Sequence, residues 1–151
     1  DLLAAFGTNT SSALTHYVSN GYSEGRSTDT FKEMSYIASY ADLRTAFGAS
    51  GGTAATTHYV NFGYSEGRTA TFDELGYIAS YSDLITAFGS DTTAGTTHYI
   101  NFGASEGRTA TFNATSYLAA NADLSAAFGT NTDLATQHYL NHGFTEGRAL
   151  A

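Results

Sequence analysis

The chain has 151 residues, with 14 acidic and 6 basic side chains and a formal net charge of -8 at pH 7. So few cations disfavour nucleic acids and anionic membranes as partners, because neutralising phosphates requires many Lys and Arg on one face. The absence of cysteine excludes disulfides, iron–sulfur clusters and cysteine-ligated zinc. No apolar run approaches the ~20 residues that a membrane-spanning helix requires. A composition poor in Lys and rich in Thr, Ser, Asn and Gly favours a secreted or cell-surface bacterial protein.

An internal repeat of about 40 residues organises the sequence. Its first segment begins with Phe and reaches Tyr-Ile-Ala or Tyr-Leu-Ala five residues later, at Phe31, Phe72 and Phe112. Its second segment runs from Asp-Leu to Ala-Phe-Gly and begins at Asp1, Asp42, Asp83 and Asp123. Its third segment runs from His-Tyr to Glu-Gly-Arg, from His16 to Arg26, His58 to Arg68, His98 to Arg108 and His138 to Arg148. We therefore divide the chain into a partial first repeat, 1–26, and repeats 27–68, 69–108 and 109–151.

Helical periodicity is clear in the repeat 69–108. Apolar residues between Tyr77 and Phe88 recur at the spacing of one helix face. Thr71 and Glu74 fit a capping box, which predicts a helix start at Phe72, and Gly89 is placed to end the helix. The segment from Phe72 to Phe88 is either one bent helix or two.

A further helix is predicted from Asp91, as N-cap, through His98 to Gly103, with Glu106-Gly107-Arg108 as a turn. No segment shows the strict alternation of a strand. The repeats therefore predict an all-α, solenoid-like tandem array with two or three short helices per unit.

The stretch from Tyr77 to Gly89, followed by His98-Tyr99 and Glu106-Gly107-Arg108, resembles a repeat of large secreted bacterial proteins. Those proteins belong to the RTX-like, hemolysin-type calcium-binding and surface-associated group, and similar units accompany some glycosyltransferases. The resemblance covers essentially the whole chain and implies an extracellular, cell-surface location. It carries no calcium site, because both the Gly-Gly-x-Gly-x-Asp nonapeptide and an EF-hand loop are absent. We therefore predict no cofactor in this chain; calcium is an expectation for the full-length protein only.

The recurrent histidines raise the question of a metal site. Metal binding requires several ligands on one ion, yet His58, His98 and His138 lie in different repeats. Only His138 and His142 have the i, i+4 spacing of a helical ligand pair, which is the alternative interpretation. We predict that the recurrent histidines are structural, with each imidazole packed at a helix end and bonded to backbone, and that the chain has no metal site.

The arginines of Glu-Gly-Arg make up four of the six basic residues. We interpret Arg26, Arg68, Arg108 and Arg148 as structural ties to a recurrent aspartate of the same or the next repeat, among Asp42, Asp83 and Asp123, with ligand contact as the alternative. Arg68 precedes Asp83, and Arg108 precedes Asp123, by the same 15 residues. That spacing predicts buried ion pairs with the aspartate of the following repeat.

Enzymatic motifs are missing, since the sequence has no nucleophile elbow, Walker loop, His-Glu-x-x-His or dinucleotide fingerprint. We predict no catalytic residue, because catalysis seldom requires four copies of one site. The favoured interpretation is a structural or interaction module that mediates assembly with other repeats or subunits of the same or an associated surface protein. The alternative is an adhesin or lectin-like module that binds sugar or calcium between repeats. Because the chain begins in mid-repeat, we expect it to be a segment of a longer array.

Overall fold

The computed structural model describes all 151 residues, and its regular structure is entirely helical. The all-α prediction is confirmed. The chain divides into two compact units, 1–71 and 72–151. The α-helices are α1 (Leu2–Phe6), α2 (Thr10–His16), α3 (Glu33–Ser39), α4 (Ala41–Phe47), α5 (Gly52–His58), α6 (Glu74–Ala79), α7 (Ser82–Phe88), α8 (Thr92–His98), α9 (Ala114–Ala120), α10 (Ala122–Phe128), α11 (Thr132–His138) and α12 (Phe144–Glu146). None of them combines the length and apolar character that crossing a membrane would require.

Each complete repeat uses one helix for each of its three segments. The first-segment helices are α3, α6 and α9, and the second-segment helices are α4, α7 and α10. The helices α5, α8 and α11 each end at the histidine that begins the third segment; from here on the third segment includes them, and they are called the third-segment helices. The partial repeat has only α1 and α2, which correspond to the second and third segments. Every third-segment helix continues into a π-helical turn, at Tyr17–Gly21, Tyr59–Gly63, Tyr99–Gly103 and Tyr139–Gly143.

The first-segment helix α6 begins two residues later than predicted. Asp73, rather than Thr71, is its N-cap, and the Asp73 carboxylate accepts a hydrogen bond from the Gly76 N–H at 2.9 Å. Asp is a stronger N-cap than Thr, so Asp73 determines where α6 begins. Phe72 is left outside the helix, and its ring stacks on that of Tyr99 with centroids 4.4 Å apart.

The first and second segments form two helices rather than one bent helix. Tyr81, between α6 and α7, has extended backbone angles, with φ -138° and ψ 122°. Its phenol accepts from the Thr109 N–H at 2.9 Å and donates to the Thr109 carbonyl at 3.1 Å. Hydrogen bonds to a distant loop therefore accompany the break in a segment that contains no proline.

The third segment follows the prediction. The Asp91 carboxylate caps α8 by accepting from the Ala94 N–H at 3.0 Å, and the helical path continues to Gly103. The turn at Glu106-Gly107-Arg108 uses Gly107 with φ +73°, a conformation that favours glycine.

The first-segment helices contribute the largest of the fully buried side chains. Tyr36, Tyr77 and Tyr117 are fully buried, and so are Ile37 and Ile78. In the second unit these helices join residues of the other segments in one apolar core. Neither α1 nor α2 of the partial repeat buries a residue. The burial of a repeat thus depends on its first segment.

Candidate functional site

The recurrent histidine of each complete repeat is hydrogen-bonded to the buried tyrosine of the first segment. The tyrosine hydroxyl lies 2.9–3.0 Å from the histidine Nδ1 in the pairs Tyr36–His58, Tyr77–His98 and Tyr117–His138. A buried phenol requires such a partner. The expected backbone partner of these histidines is therefore wrong, since Nδ1 faces a side chain 21 or 22 residues earlier in the chain.

Burial also determines the protonation of these phenols. It raises the pKa of Tyr77 to about 12, and it raises the pKa of Tyr36 and Tyr117 above the ordinary value. Because burial disfavours the phenolate, each hydroxyl keeps its proton at neutral pH. Each phenol is therefore a protonated hydrogen-bonding partner of its histidine.

Aromatic rings enclose the Tyr–His pair. In the repeat 69–108, Phe72 stacks on Tyr99, and Tyr77 meets the Tyr99 ring edge-on at 5.1 Å between centroids. The same stacked and edge-on contacts recur in the repeats 27–68 and 109–151. Offset and edge-to-face pairs of this kind are favourable arrangements of aromatic side chains. The first segment is thus held to the third by an aromatic cluster.

The glycine that ends each π-helical turn provides space for the tyrosine hydroxyl. Gly63, Gly103 and Gly143 do not have positive φ, so conformation does not require glycine there. A β-carbon at these positions would overlap the hydroxyl of Tyr36, Tyr77 or Tyr117. Sequence reasoning treated these glycines as helix ends and missed this role. No local signal could have revealed it, because the tyrosine is 26 or 27 residues away in the chain.

Each recurrent arginine bridges two carboxylates. In the repeat 69–108, Arg108 Nη1 lies 2.8 Å from Asp83 Oδ2, and Arg108 Nε lies 2.8 Å from Glu106 Oε2. We call this trio the arginine clamp. The other clamps join Arg26 to Asp1 and Glu24, Arg68 to Asp42 and Glu66, and Arg148 to Asp123 and Glu146.

The predicted partners of Arg68 and Arg108 are therefore wrong. Arg68 pairs with Asp42 rather than Asp83, and Arg108 pairs with Asp83 rather than Asp123. The second and third segments fold into a helical hairpin, which brings the end of the third segment to the start of the second. Each of these arginines thus binds the aspartate 25 or 26 residues earlier in the chain.

The predicted burial of the clamp is also wrong. The side chain of Arg68 is 24% exposed, and that of Asp42 is 59% exposed. The hydrogen bond from the arginine holds the pKa of Asp42, Asp83 and Asp123 below the ordinary value. Arg68 also lies over the Tyr40 ring at 4.8 Å, and Arg108 over the Tyr81 ring at 4.9 Å. The clamps fasten the hairpin at its surface.

A metal ion requires a particular arrangement of His, Asp and Glu side chains around it. No group of three or more His, Asp or Glu side chains is placed to hold one ion. His138 and His142 approach each other with ring centroids 5.5 Å apart, but His138 Nδ1 faces the Tyr117 hydroxyl. The aspartates of the clamps already face guanidinium groups.

An open groove lies beside the recurrent histidine. In the repeat 27–68 it has a volume of ≈ 540 Å³ and is lined by Phe47, Thr53, Ala54, Thr57, His58 and Phe62. Phe62 and its counterpart Phe102 are each 56% exposed. Exposed aromatic faces can stack on a ligand, so this groove is where the alternative binding function would reside.

No protein-family profile, curated protein or solved structure shows significant similarity to this chain.

Proposed function

We propose that the chain is a non-catalytic structural and interaction module of a secreted or cell-surface bacterial protein. Its repeats stack as a solenoid-like array that mediates assembly or protein–protein contact, with other repeats or subunits as partners. The observation that supports this proposal most directly is that the recurrent polar residues bind one another. Tyrosine binds histidine in every complete repeat, and arginine binds aspartate and glutamate in every repeat.

This pattern differs from that of a catalytic or metal site. Such a site requires side chains that are free to bind a substrate or ion and that converge on one point. Here the recurrent imidazoles and carboxylates face partners within their own repeat. Residues used in this way support a fold, and their repetition supports an array in which each unit has the same internal structure.

Packing between successive repeats supports the array. In the second unit, the third-segment helix α11 packs against α6, the first-segment helix of the repeat before it. The same α11 packs against α9 of its own repeat. The helix α6 therefore contacts both its own repeat and the next one, and this supports the proposal of nearest-neighbour stacking as in repeat proteins.

The cellular location rests on composition and on the resemblance of the motifs to repeats of secreted bacterial surface proteins. Acidic residues outnumber basic ones by 14 to 6, and Thr, Ser and Asn dominate the polar positions. An acidic surface poor in Lys remains soluble and does not attract polyanions.

Thermal unfolding in the presence of candidate ligands tests this function. We expect the Tm to be unchanged by Ca²⁺, Zn²⁺, EDTA or a panel of mono- and oligosaccharides. A ligand at 100 times its Kd stabilises the folded state by ~2.7 kcal/mol. For a domain of this size that corresponds to a shift of about 5–10 °C. A saturable shift of this size would contradict the structural interpretation.

The groove beside His58 favours one alternative, an adhesin or lectin-like module. Its exposed Phe62 could stack on the apolar face of a sugar ring. If a saccharide raises the Tm, Phe62→Ala should abolish the shift. Tyr22→Ala, which removes another highly exposed ring in the partial repeat, is the matched control.

A further inference from the structure

We propose that the groove beside His58, and the matching surface beside His98, dock a basic segment of a partner protein through its arginine side chains. An arginine would lay its apolar stem and guanidinium on the exposed phenylalanine ring, with its charge towards the glutamate of the arginine clamp. This inference deepens the proposed function and rests on it, because it names a surface and a class of partner for the interaction module.

Three rings lie together on this surface. Phe47 and Phe62 both contact His58, with ring centroids 5.9 Å and 5.7 Å from that of the imidazole. In the repeat 69–108 the two corresponding distances are 5.7 Å. We call these two sets of rings the ring rows, Phe47–His58–Phe62 and Phe88–His98–Phe102. The same surface is therefore built twice, from the same residue types.

The groove of the first ring row belongs to an internal repeat. All the residues that line it lie in the repeat 27–68, and the chain continues on both sides of this repeat. His58 Nδ1 faces the buried Tyr36 hydroxyl at 3.0 Å, so the imidazole is tied to the core. Phe62 is 56% exposed, and its ring therefore lies outside that core. Such a ring offers an apolar face to a partner.

A carboxylate borders the ring row. The clamp glutamate Glu66 lies one helical turn after Phe62, because its N–H donates to the Phe62 carbonyl at 3.0 Å. At the matching position of the partial repeat, Glu24 Oε2 lies 3.9 Å from His16 Nε2, so the clamp glutamate is close to the recurrent imidazole. Each clamp joins two carboxylates to one guanidinium and carries one net negative charge. The surface beside the ring row therefore favours a cation.

The second ring row has an even more acidic environment. Residues 72–151 contain eight Asp and Glu side chains. Their only Lys or Arg side chains are Arg108 and Arg148, and both belong to clamps. An acidic partner would be repelled by this unit, whereas a basic one would be attracted.

Arginine matches both the apolar ring and the carboxylate. Its stem is apolar and its guanidinium stacks on aromatic faces, whereas the lysine ammonium is a strongly hydrated point charge. The chain already contains this arrangement, since Arg68 lies over the Tyr40 ring at 4.8 Å while it binds Asp42 and Glu66. Phe62 and Glu66 would provide an incoming arginine with an equivalent ring and carboxylate.

A second copy of this chain is a poor occupant. It carries the same net charge of -8, and four of its six Lys and Arg side chains are bound in clamps. Further repeats of this type would also hold their arginines in clamps. A neutral saccharide would make no use of the clamp carboxylate. The occupant is therefore a basic segment of a protein without these repeats.

Heteronuclear NMR titration of the isotope-labelled full chain with the peptide acetyl-Arg-Gly-Arg-Gly-Arg-amide tests this proposal. We expect saturable shift changes at both ring rows, and none with acetyl-Glu-Gly-Glu-Gly-Glu-amide. The corresponding lysine peptide should bind more weakly than the arginine peptide. Raising NaCl from about 0.05 M to about 0.5 M should weaken binding about threefold or more, since salt screens exposed carboxylates.

The decisive variant is Phe62→Asn, which introduces the residue that the partial repeat has at this position, Asn20. It should weaken peptide binding beside His58 about threefold to tenfold, and binding beside His98 should not change. The second ring row is thus an internal control. Tyr64→Ala is the matched control, because it removes another exposed ring of the same repeat. Both variants should keep the circular dichroism spectrum and the Tm of the parent, since both side chains are exposed.

Four results would overturn the proposal. They are the absence of saturable shifts at the ring rows, equal binding to Phe62→Asn and the parent, equally strong binding of spermidine, which would make a small polycation the ligand, and saccharide-induced shifts at the same residues. The ligand panel of the thermal experiment reports separately on the proposed function. Failure of the arginine peptide to bind, with no ligand-induced change in Tm, would leave that function standing.

Discussion

The partial repeat and the complete repeat 69–108 both have an arginine clamp, but they differ in the Tyr–His hydrogen bond. Both have an arginine clamp, with Arg26 and Arg108 each 2.8 Å from an aspartate oxygen. Only the complete repeat has a buried tyrosine bonded to histidine. The clamp requires only the second and third segments, because it joins the start of one to the end of the other. The core requires the first segment.

The clamp and the core should therefore contribute differently to the free energy of unfolding. Exposed ion pairs contribute little to stability, since water and salt screen them. Burial of large aromatic side chains contributes much more, because it removes apolar area from water. We therefore expect variants of the Tyr–His core to have large effects in the complete repeats, and variants at matching positions of the partial repeat to have small ones.

Truncation of the core tyrosine should have the largest effect. Tyr77→Ala removes a fully buried ring and its hydrogen bond to His98, and should lower the free energy of unfolding by about 3–5 kcal/mol. Tyr22→Ala in the partial repeat, where the ring is 78% exposed, should change it by less than about 0.5 kcal/mol. Urea unfolding of both variants measures the difference. Equal losses would refute the assignment of the core to the first segment.

Adding a methyl group to the π-helical turn should distinguish the two repeats next most strongly. Gly103→Ala forces the Tyr77 hydroxyl away and should cost about 1–3 kcal/mol. In Gly21→Ala the methyl group meets only flexible side chains, so we expect an unchanged Tm. Differential scanning calorimetry gives both values. A large loss in Gly21→Ala would mean that the partial repeat packs as tightly as a complete one.

Removing only the hydroxyl of Tyr77 tests the contribution of its hydrogen bond separately from that of its ring. Tyr77→Phe keeps the ring but leaves His98 Nδ1 without its partner, which should cost about 1–2 kcal/mol. Tyr17→Phe, at a phenol with no hydrogen bond, is the control and should leave stability unchanged. Denaturant midpoints at neutral pH provide the measurement. A neutral effect of Tyr77→Phe would show that the ring alone accounts for the role of this residue.

Alkaline pH should weaken the complete repeats. The pKa of Tyr77 is raised to about 12 in the folded protein, above its ordinary value of 10. The unfolded chain therefore loses the proton first, and this contribution to stability is present below pH 10 and lost as pH rises towards 12. Unfolding free energies measured across this range should fall less steeply for Tyr77→Phe than for the parent. Identical slopes would contradict the burial of this phenol as the cause.

Acid should produce the smallest effect, through the clamps. The arginine lowers the pKa of Asp83, so its contribution is present above the ordinary carboxyl value of 3.8 and is lost as pH falls through the lower folded value. Asp83→Asn should make the loss of stability below pH 4 slightly less steep. Asp133→Asn, which removes an exposed carboxylate outside the clamps, is the control. Acid titrations of both variants by circular dichroism compare the two.

Local features of the fold could be predicted from the sequence. The spacing of apolar residues from Tyr77 to Phe88 indicated helix, and Asp91 and Gly107 marked a helix start and a turn that the structure contains. These features depend on interactions within a few residues, such as a cap that satisfies the free N–H groups of a helix. Short-range hydrogen bonding and backbone sterics are therefore enough to encode them.

The partners of the recurrent side chains were determined only by tertiary structure. Arg108 lies nearer to Asp123 in the chain but binds Asp83, because the hairpin returns the third segment to the start of the second. Tyr77 reaches His98 and requires Gly103 to be small, although these residues are separated by 21 and 26 positions. Distance along the chain carries no information about such pairs, since helix packing, rather than residue spacing, brings their side chains together.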